Sequence, residues 1–406
     1  MNGNGRKSLG PPLASLEAYK KLMKRYFFWA KIKARFRGQV GWITSGGPVE
    51  FLWAMGVVPF YPENHSAMCG AARLSVDLCQ LAENQGYSPD LCSYAKTDLG
   101  SNVKELSPLK GRPNPTLFLA CNNICNTVVK WWEIQARHFR VPVFLLDTPF
   151  IYDQVKPETI DYVVRQMEEL VTFLEKATGR TFKMNRFQRV LERSAEGVRL
   201  WSEILDLCRH RPTPLTSFDA FVHMAPIVTL RGTRSAVKYY RRLKKELEDR
   251  VARGIGAVPG EKYRIIWDNI PIWYEMRPLS KALAEHGLVL VADSYTSSWA
   301  FEGLDAGDPI RSLATAYTVV HLNQGLDFKT RRLAGMMEKY QADGFILHSN
   351  MSCKPYSFGQ YEIKRRLTAL TGKPGIVLES DMVDGRKYDR SRAESQVKTL
   401  AEMLAG

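Results

Sequence analysis

Six short apolar runs limit the folds open to this chain more than anything else in it. They read TLFLAC (116–121), VPVFLLD (141–147), YRIIW (263–267), LVLVAD (288–293), GFILHS (344–349) and GIVLES (375–380). Each is too short for a helix of ordinary length and rich in branched or aromatic residues. Stretches of helical period, such as 126–139, lie between them. A strand that is apolar along its whole length has both faces covered, as in a parallel sheet flanked by helices. Strand, helix, strand at this spacing defines βαβ units.

The stretch QVGWITSGGPVEFLWAMGVVPFYPEN adds a short strand, a Gly-Gly turn, a helix near Pro48 to Met55 and a strand at Val57 to Tyr61. Pro48 suits the first turn of a helix, where its missing N–H costs nothing. Residues 157–210 read as long helices, and ETIDYVVRQMEELVTFLEKATG ends on a glycine that can close the last turn. The expected architecture is α/β, with two doubly wound parallel-sheet domains of flavodoxin or Rossmann type facing a cleft. The expected boundaries are a helical N-terminal arm (1–37), a first α/β domain with a helical extension (38–208), a helical connector (209–256) and a second α/β domain (257–406). A length of 406 residues supplies proper cores for such domains.

Composition excludes more than it assigns. No run of about 18 apolar residues exists, so no membrane span is expected. The N-terminus lacks the apolar core of a signal peptide, which makes the cytoplasm the expected location. Gly254 and Gly256 precede a strand instead of following one, and neither GxGxxG nor GxxxxGK[ST] occurs, so ATP hydrolysis through a P-loop is not expected here. The net charge of +15 suggests anionic partners. No nucleic-acid motif accompanies it, and the basic segment 231–250 reads first as a solvated helix face. Docking of an acidic partner subunit is a second account of the charge.

In open parallel sheets, ligands sit beyond the carboxyl ends of the strands. Those ends carry CNNICNT, DTPF, DNIPIW, DSYTSSW and HSNMSCKPYS, which places a thiol loop in each half of the chain. Seven cysteines, an odd number, do not make a disulfide framework in a chain without an export signal. Thiolates suit zinc or an iron–sulfur cluster, but no CxxC pair of a zinc ribbon is present. Three scattered cysteines fit a cluster with one non-cysteine position better. Spacing alone leaves both that reading and buried structural thiols open.

The segments TSGGPVEFLWAMGVVPFYPENH, GYSPDLCSYAKTDLGS, NNICNTVVKWWEIQ, PVFLLDTPF and HSNMSCKPYSFGQ together resemble the 2-hydroxyacyl-CoA dehydratase / benzoyl-CoA reductase family, in the family's order and over most of the chain. The resemblance implies an oxygen-sensitive subunit holding a 4Fe–4S cluster on three cysteines, by motif Cys92, Cys125 and Cys353, with the fourth iron open to water, hydroxide or substrate. Cys121 is the rival to Cys125, and its strand-end position favours a buried role. Cys69, Cys79 and Cys208 are expected to be structural. The resemblance further implies an acyl-CoA or aryl-CoA substrate, a homologous second cluster-bearing subunit and a separate ATP-hydrolysing iron–sulfur activator, which fits the missing P-loop. One-electron reduction would give a ketyl radical anion that expels the hydroxyl and acidifies the β-proton.

Ser45 and Glu63 match family positions near the acyl group. Glu63 would shuttle protons and Ser45 would hydrogen-bond the thioester oxygen; their bland readings are a strand-end turn and a helix cap. Asn122, Asn123 and Asn350 are candidate donors to cluster sulfides. His65 and His348 are candidate donors with a structural reading, Trp131 and Trp132 read as core, and Lys354 and Arg365 are candidates for CoA phosphates. Dehydratase, aryl-CoA reductase and a non-catalytic binding paralogue remain the competing functions; retention of the three cysteines, Ser45 and Glu63 argues against the last.

Overall fold

The computed structural model describes residues 9–36 and 38–406. Residues 1–8 and 37 of the expected N-terminal arm lie outside the described residues. The rest of the arm is the helix Ser15–Arg35, which buries Met23, Tyr26 and Ala30. Its start is capped from far away: the Glu246 carboxylate accepts from the backbone N–H of Ala14 at 2.5 Å and of Ser15 at 2.8 Å. Tyr26 donates to the Pro59 carbonyl at 2.5 Å and ties the arm to the first sheet.

Eight strands form two four-stranded sheets: β1 (Val40–Ile43), β2 (Val58–Phe60), β3 (Leu117–Cys121) and β4 (Val143–Leu146), then β5 (Tyr263–Asp268), β6 (Leu288–Asp293), β7 (Gly344–Asn350) and β8 (Gly375–Ser380). The first sheet runs β2-β1-β3-β4 and the second β6-β5-β7-β8, every pair parallel. The two orders are the same. In each, the chain reverses its direction of winding beside the first strand, between β1 and β3 or between β5 and β7. That reversal opens a crevice beyond the carboxyl ends of the strands.

Long helices between the sheets, Pro157–Thr178, Met184–Asp206 and Arg234–Ala252, form a layer packed on both halves. Gly179 closes the first of these in the left-handed region, at φ 66°. A buried polar knot joins the parts. Glu50 accepts from Arg231 Nε at 2.8 Å, from Ser194 Oγ at 2.9 Å and from the Tyr317 hydroxyl at 2.8 Å. The Arg231 guanidinium also lies over the rings of Trp299, Phe301 and Tyr317, 5.0 to 5.7 Å from their centroids. Charges this deep are tolerated because each is paired and its remaining hydrogens are used.

Three helices were not expected from the sequence: Pro62–Ala71, Ser75–Asn84 and Ser93–Val103. The last buries nine consecutive residues, Ser93 to Ser101, polar ones included. A helix covered all round shows no amphipathic stripe, so periodicity cannot find it. Gly100 lets this helix press against the Leu78 carbonyl, where a Cβ would collide.

Candidate active site

The strand ends of both sheets, all but that of β4, converge on one inner cavity of about 110 Å3. Ser45 reaches it from the turn after β1, Glu63 from the first turn of the helix after β2, and Cys125 from the loop after β3. The second half supplies Ile270 after β5, Tyr295 after β6, Cys353 after β7 and Met382 after β8. Cys92 enters from the start of the helix Ser93–Val103. The rest of the wall is mainly apolar and includes five aromatic rings, those of Tyr94, Trp131, Trp299, Phe301 and Tyr356. A lining of this kind favours an apolar group over water.

Each of the three thiols sits at or just before a helix N-terminus, where unused backbone N–H groups point outward. The N–H groups of Tyr94 and Ala95 face the Cys92 sulfur, those of Thr127 and Val128 face Cys125, and that of Tyr356 faces Cys353. These donors favour thiolates, but burial outweighs them. Burial, then mutual repulsion with Cys353 and Cys125, holds the Cys92 thiol well above its ordinary range. Burial likewise pushes Cys125 up to about 11 and Cys353 up to about 12. Three such neighbours cannot all ionise without a cation among them.

Glu63 is the one carboxyl on the inner cavity wall among the described residues. Its Oε2 accepts from the Ser45 N–H at 2.5 Å and from the Ser45 hydroxyl at 2.8 Å. Burial raises its carboxyl to about 7 against the pull of those two hydrogen bonds. A carboxyl poised there can take or give a proton near neutrality. Ser45 thus directs its hydroxyl to Glu63 and does not cap the following helix by its side chain.

A second, more open cavity of about 550 Å3 adjoins the first and shares Ile124, Cys125 and Leu322 with it. Asn122, Asn123, Asp147, Thr148, Asn323 and Lys329 give it polar walls. Asn122 donates to Asp147 and accepts from the Thr148 N–H at 2.7 Å, so it braces the loops after β3 and β4 against each other. Asn123 donates to the Gly46 carbonyl at 2.9 Å and to the Tyr317 carbonyl at 2.8 Å, stitching the two halves together. A Cβ on Gly46 would strike the Asn123 side chain, which is why the turn after β1 needs glycine there. Asn350 lines neither cavity. Its carbonyl accepts from the Cys353 N–H at 3.1 Å, and its buried side-chain amide has no hydrogen-bond partner among the described residues.

The remaining candidates, Trp131 excepted, lie apart from the cavities. His65 is buried against Ser107 at 2.8 Å, and His348 against the Ile270 carbonyl at 2.6 Å. Burial lowers both to about 4, so both are neutral near pH 7. Lys354 and Arg365 are on the outer surface, the first bonded to the Met351 carbonyl and the second to Glu362. Trp131 and Trp132 are core residues, but Trp131 also forms cavity wall and donates to Asp98 at 2.8 Å. Cys69, Cys79, Cys121 and Cys208 are buried and line no part of the inner cavity. His321 lines it and was not expected; the segment YTVVHLNQG carries no motif that would mark it.

Among the described residues, no three His, Cys, Asp or Glu side chains are grouped closely enough to hold a single metal ion. A cluster makes a different demand, one thiolate on each of several irons spread around a volume. Three thiols from three chain segments around one cavity, with backbone donors aimed at their sulfurs, fit that demand.

Cavities at the carboxyl ends of two like sheets, lined by a buried carboxyl and three thiols, have the make-up of an enzyme's site between two α/β units. Residues 44–404 match the 2-hydroxyglutaryl-CoA dehydratase D-component family, and the chain belongs to it. It is 35% identical over 376 residues, 92% of each chain, to the (R)-2-hydroxyisocaproyl-CoA dehydratase alpha subunit of Clostridioides difficile. It is 33% identical over 390 residues, again 92% of each chain, to the alpha subunit of lactoyl-CoA dehydratase from Anaerotignum propionicum. A benzoyl-CoA reductase subunit of Thauera aromatica is 29% identical over 381 residues, 90% of this chain and 88% of that one. The chain is therefore an enzyme subunit of the dehydratase and reductase class, and its relatives' subunit names imply a multi-subunit complex. Among the described residues, no helix is long and apolar enough to cross a membrane.

Proposed function

We propose that this chain is the cluster-bearing, substrate-binding subunit of an ATP-activated (R)-2-hydroxyacyl-CoA dehydratase. The observation that carries the reading is the meeting of Cys92, Cys125 and Cys353 with Ser45 and Glu63 at one largely apolar cavity. Three dehydratase alpha subunits, at 31% to 35% identity, stand above the reductase subunit at 29%, and a fourth, at 27%, stands below it; that balance supports the dehydratase assignment. The three cysteines would hold a 4Fe–4S cluster. When bound, that cluster supplies an iron open to the substrate as a Lewis acid and a route for single electrons.

The chain's own residues do the rest. The aromatic wall excludes water from the acyl group. Glu63, held by Ser45 and titrating near neutrality, passes a proton to or from the reacting carbon or the departing hydroxyl. The small inner and larger outer cavities suit a compact acyl group joined to a bulky polar carrier, as in a CoA thioester. Asn122 and Asn123 hold the loop carrying Cys125, and the Asn350 carbonyl accepts from the Cys353 N–H. A second related subunit and a separate iron–sulfur activator complete the proposed assembly, working in the cytoplasm, where thiols stay reduced. The proposed domains are the arm 1–37, the first α/β unit 38–208, the connector 209–256 and the second α/β unit 257–406.

One observation favours a second reading, an aryl-CoA reductase subunit: the aromatic wall would also receive a flat ring. The test is iron and acid-labile sulfide after anaerobic purification, followed by turnover of 2-hydroxyacyl-CoA and aryl-CoA with activator and ATP. About four of each per chain are expected, with dehydration of the hydroxy substrate. A metal-free chain that stays so after reconstitution would falsify the cluster assignment, and ring reduction alone would select the second reading.

A further inference from the structure

His321 is the one imidazole on the inner cavity wall, 2% exposed, and the chemistry above leaves it without a task. Its Nε2 lies 3.7 Å from Asp268 Oδ1. That is long for a hydrogen bond but close enough for the carboxylate to select the tautomer with the proton on Nε2. Asp268 ends β5 and is itself held rigidly. Oδ1 accepts from Ser294 Oγ at 2.5 Å and Oδ2 from Gln360 Nε2 at 2.8 Å. Burial keeps the ring neutral against the upward pull of Asp268, and Arg332 and Lys329 add to the lowering.

The other nitrogen, Nδ1, has no hydrogen-bond partner among the described residues. With the proton on Nε2 it is an acceptor, and a buried acceptor left bare costs about 1–3 kcal/mol. His348 also has one bare nitrogen, but it lines neither cavity. Among the described residues, His321 is the one residue of the inner cavity wall with an unpaired buried side-chain atom; Asn123, whose Oδ1 is also unpaired, lines the outer cavity.

We propose that Nδ1 of His321, oriented by Asp268, accepts a hydrogen bond from the 2-hydroxyl of the bound acyl thioester and so selects 2-hydroxyacyl over non-hydroxylated thioesters. This rests on the reading of the cavity as an acyl-CoA site and adds to it the group that recognises the hydroxyl. A site built to bond a hydroxyl rejects the analogue lacking it, because its own polar group is then stranded.

The test is calorimetric binding to the anaerobically purified subunit complex, without reductant so that nothing turns over. The probes are a branched (R)-2-hydroxyacyl-CoA and its 2-deoxy analogue. The unmodified protein is expected to bind the hydroxy form about tenfold more tightly. His321→Ala should abolish the preference and leave the affinity for the deoxy form within about twofold. His321→Asn, whose amide oxygen can stand near the place of Nδ1, should keep part of it. If His321→Ala does not fold, His321→Phe, of similar size and without an acceptor, replaces it. An undiminished preference in the alanine or phenylalanine variant overturns the inference and leaves the acyl-CoA reading intact. An unmodified protein that binds both forms equally does the same. One that binds neither overturns both.

Discussion

The two sheets share a strand order, yet they treat their last strands differently. β8 is covered by the helix Arg390–Ala405, and Ile376, Val377 and Leu378 are all buried. β4, its counterpart, buries Leu146 on the side of the helix Pro157–Thr178 but leaves Val143 38% and Leu145 40% exposed. The site is unequal as well. The first half brings two thiols, Ser45 and Glu63; the second brings one thiol and the Asp268–His321 pair. The same scaffold can therefore be loaded differently in its two copies. Strand order sets where a site forms, and the loops after the strands set what it holds.

The largest effect should come from dividing the thiols. Cys92→Ala, Cys125→Ala and Cys353→Ala are each expected to lose iron and all dehydration, whichever half supplies the sulfur. Cys121→Ala, on the same strand-end as Cys125, should keep both, with iron analysis and turnover as the readouts. Loss of iron in Cys121→Ala with retention in Cys125→Ala would reassign the first half's contribution.

Next comes the knot between the halves. Arg231→Met leaves Glu50 buried without its cation and is expected to destabilise by roughly 3–5 kcal/mol, read from the denaturant midpoint. Adding Glu50→Gln should recover part of that loss. If the single variant is no worse than a surface change, the halves do not depend on this pair.

Glu63 gives a smaller, pH-dependent effect. Its carboxyl goes from the ordinary 4.5 to about 7 on folding, mainly through burial. Between those values the folded chain keeps a proton that the unfolded chain has released. The contribution is full below 4.5 and is lost as pH rises through about 7. Relative to the iron-free unmodified chain, Glu63→Gln should gain stability over that window, on the order of 3 kcal/mol in all. A stability difference that does not change with pH would mean that water reaches Glu63 in the folded protein.

The smallest effect on the isolated chain should be at the open face. Leu145→Lys is expected to change its stability by no more than about 0.5 kcal/mol, whereas the equivalent change at the buried Leu378 should prevent folding. A large loss at Leu145 would show that β4 is covered after all.

Much of this was legible in the sequence, for identifiable reasons. β3 to β8 fall within a residue or two of the apolar runs: five of these six strands are buried on both faces and leave an unbroken signal, and β4 shows the same run although one of its faces is open, contrary to what the run alone predicts. The meeting of Cys125 with Cys353 followed from a topological rule about strand ends. The helix carrying Cys92 was invisible because it is buried all round, and only the motif around Cys92 pointed to the site. Glu50 and Arg231 are ordinary charges in the sequence; their partnership spans most of the first half and the connector. His321 stands in a segment with no strand or motif, and only its unpaired nitrogen and its place on the wall single it out.

The thiols come from widely separated parts of the chain, which bears on how the protein is made. Cys92 and Cys125 leave the ribosome more than 200 residues ahead of Cys353. No nascent intermediate has all three sulfurs in place, however well its first sheet has formed. Under the cluster assignment proposed above, loading of the site therefore waits until Cys353 has been made and both halves have docked. A shortage of the cluster would be felt at that late step and not while the first sheet is being built.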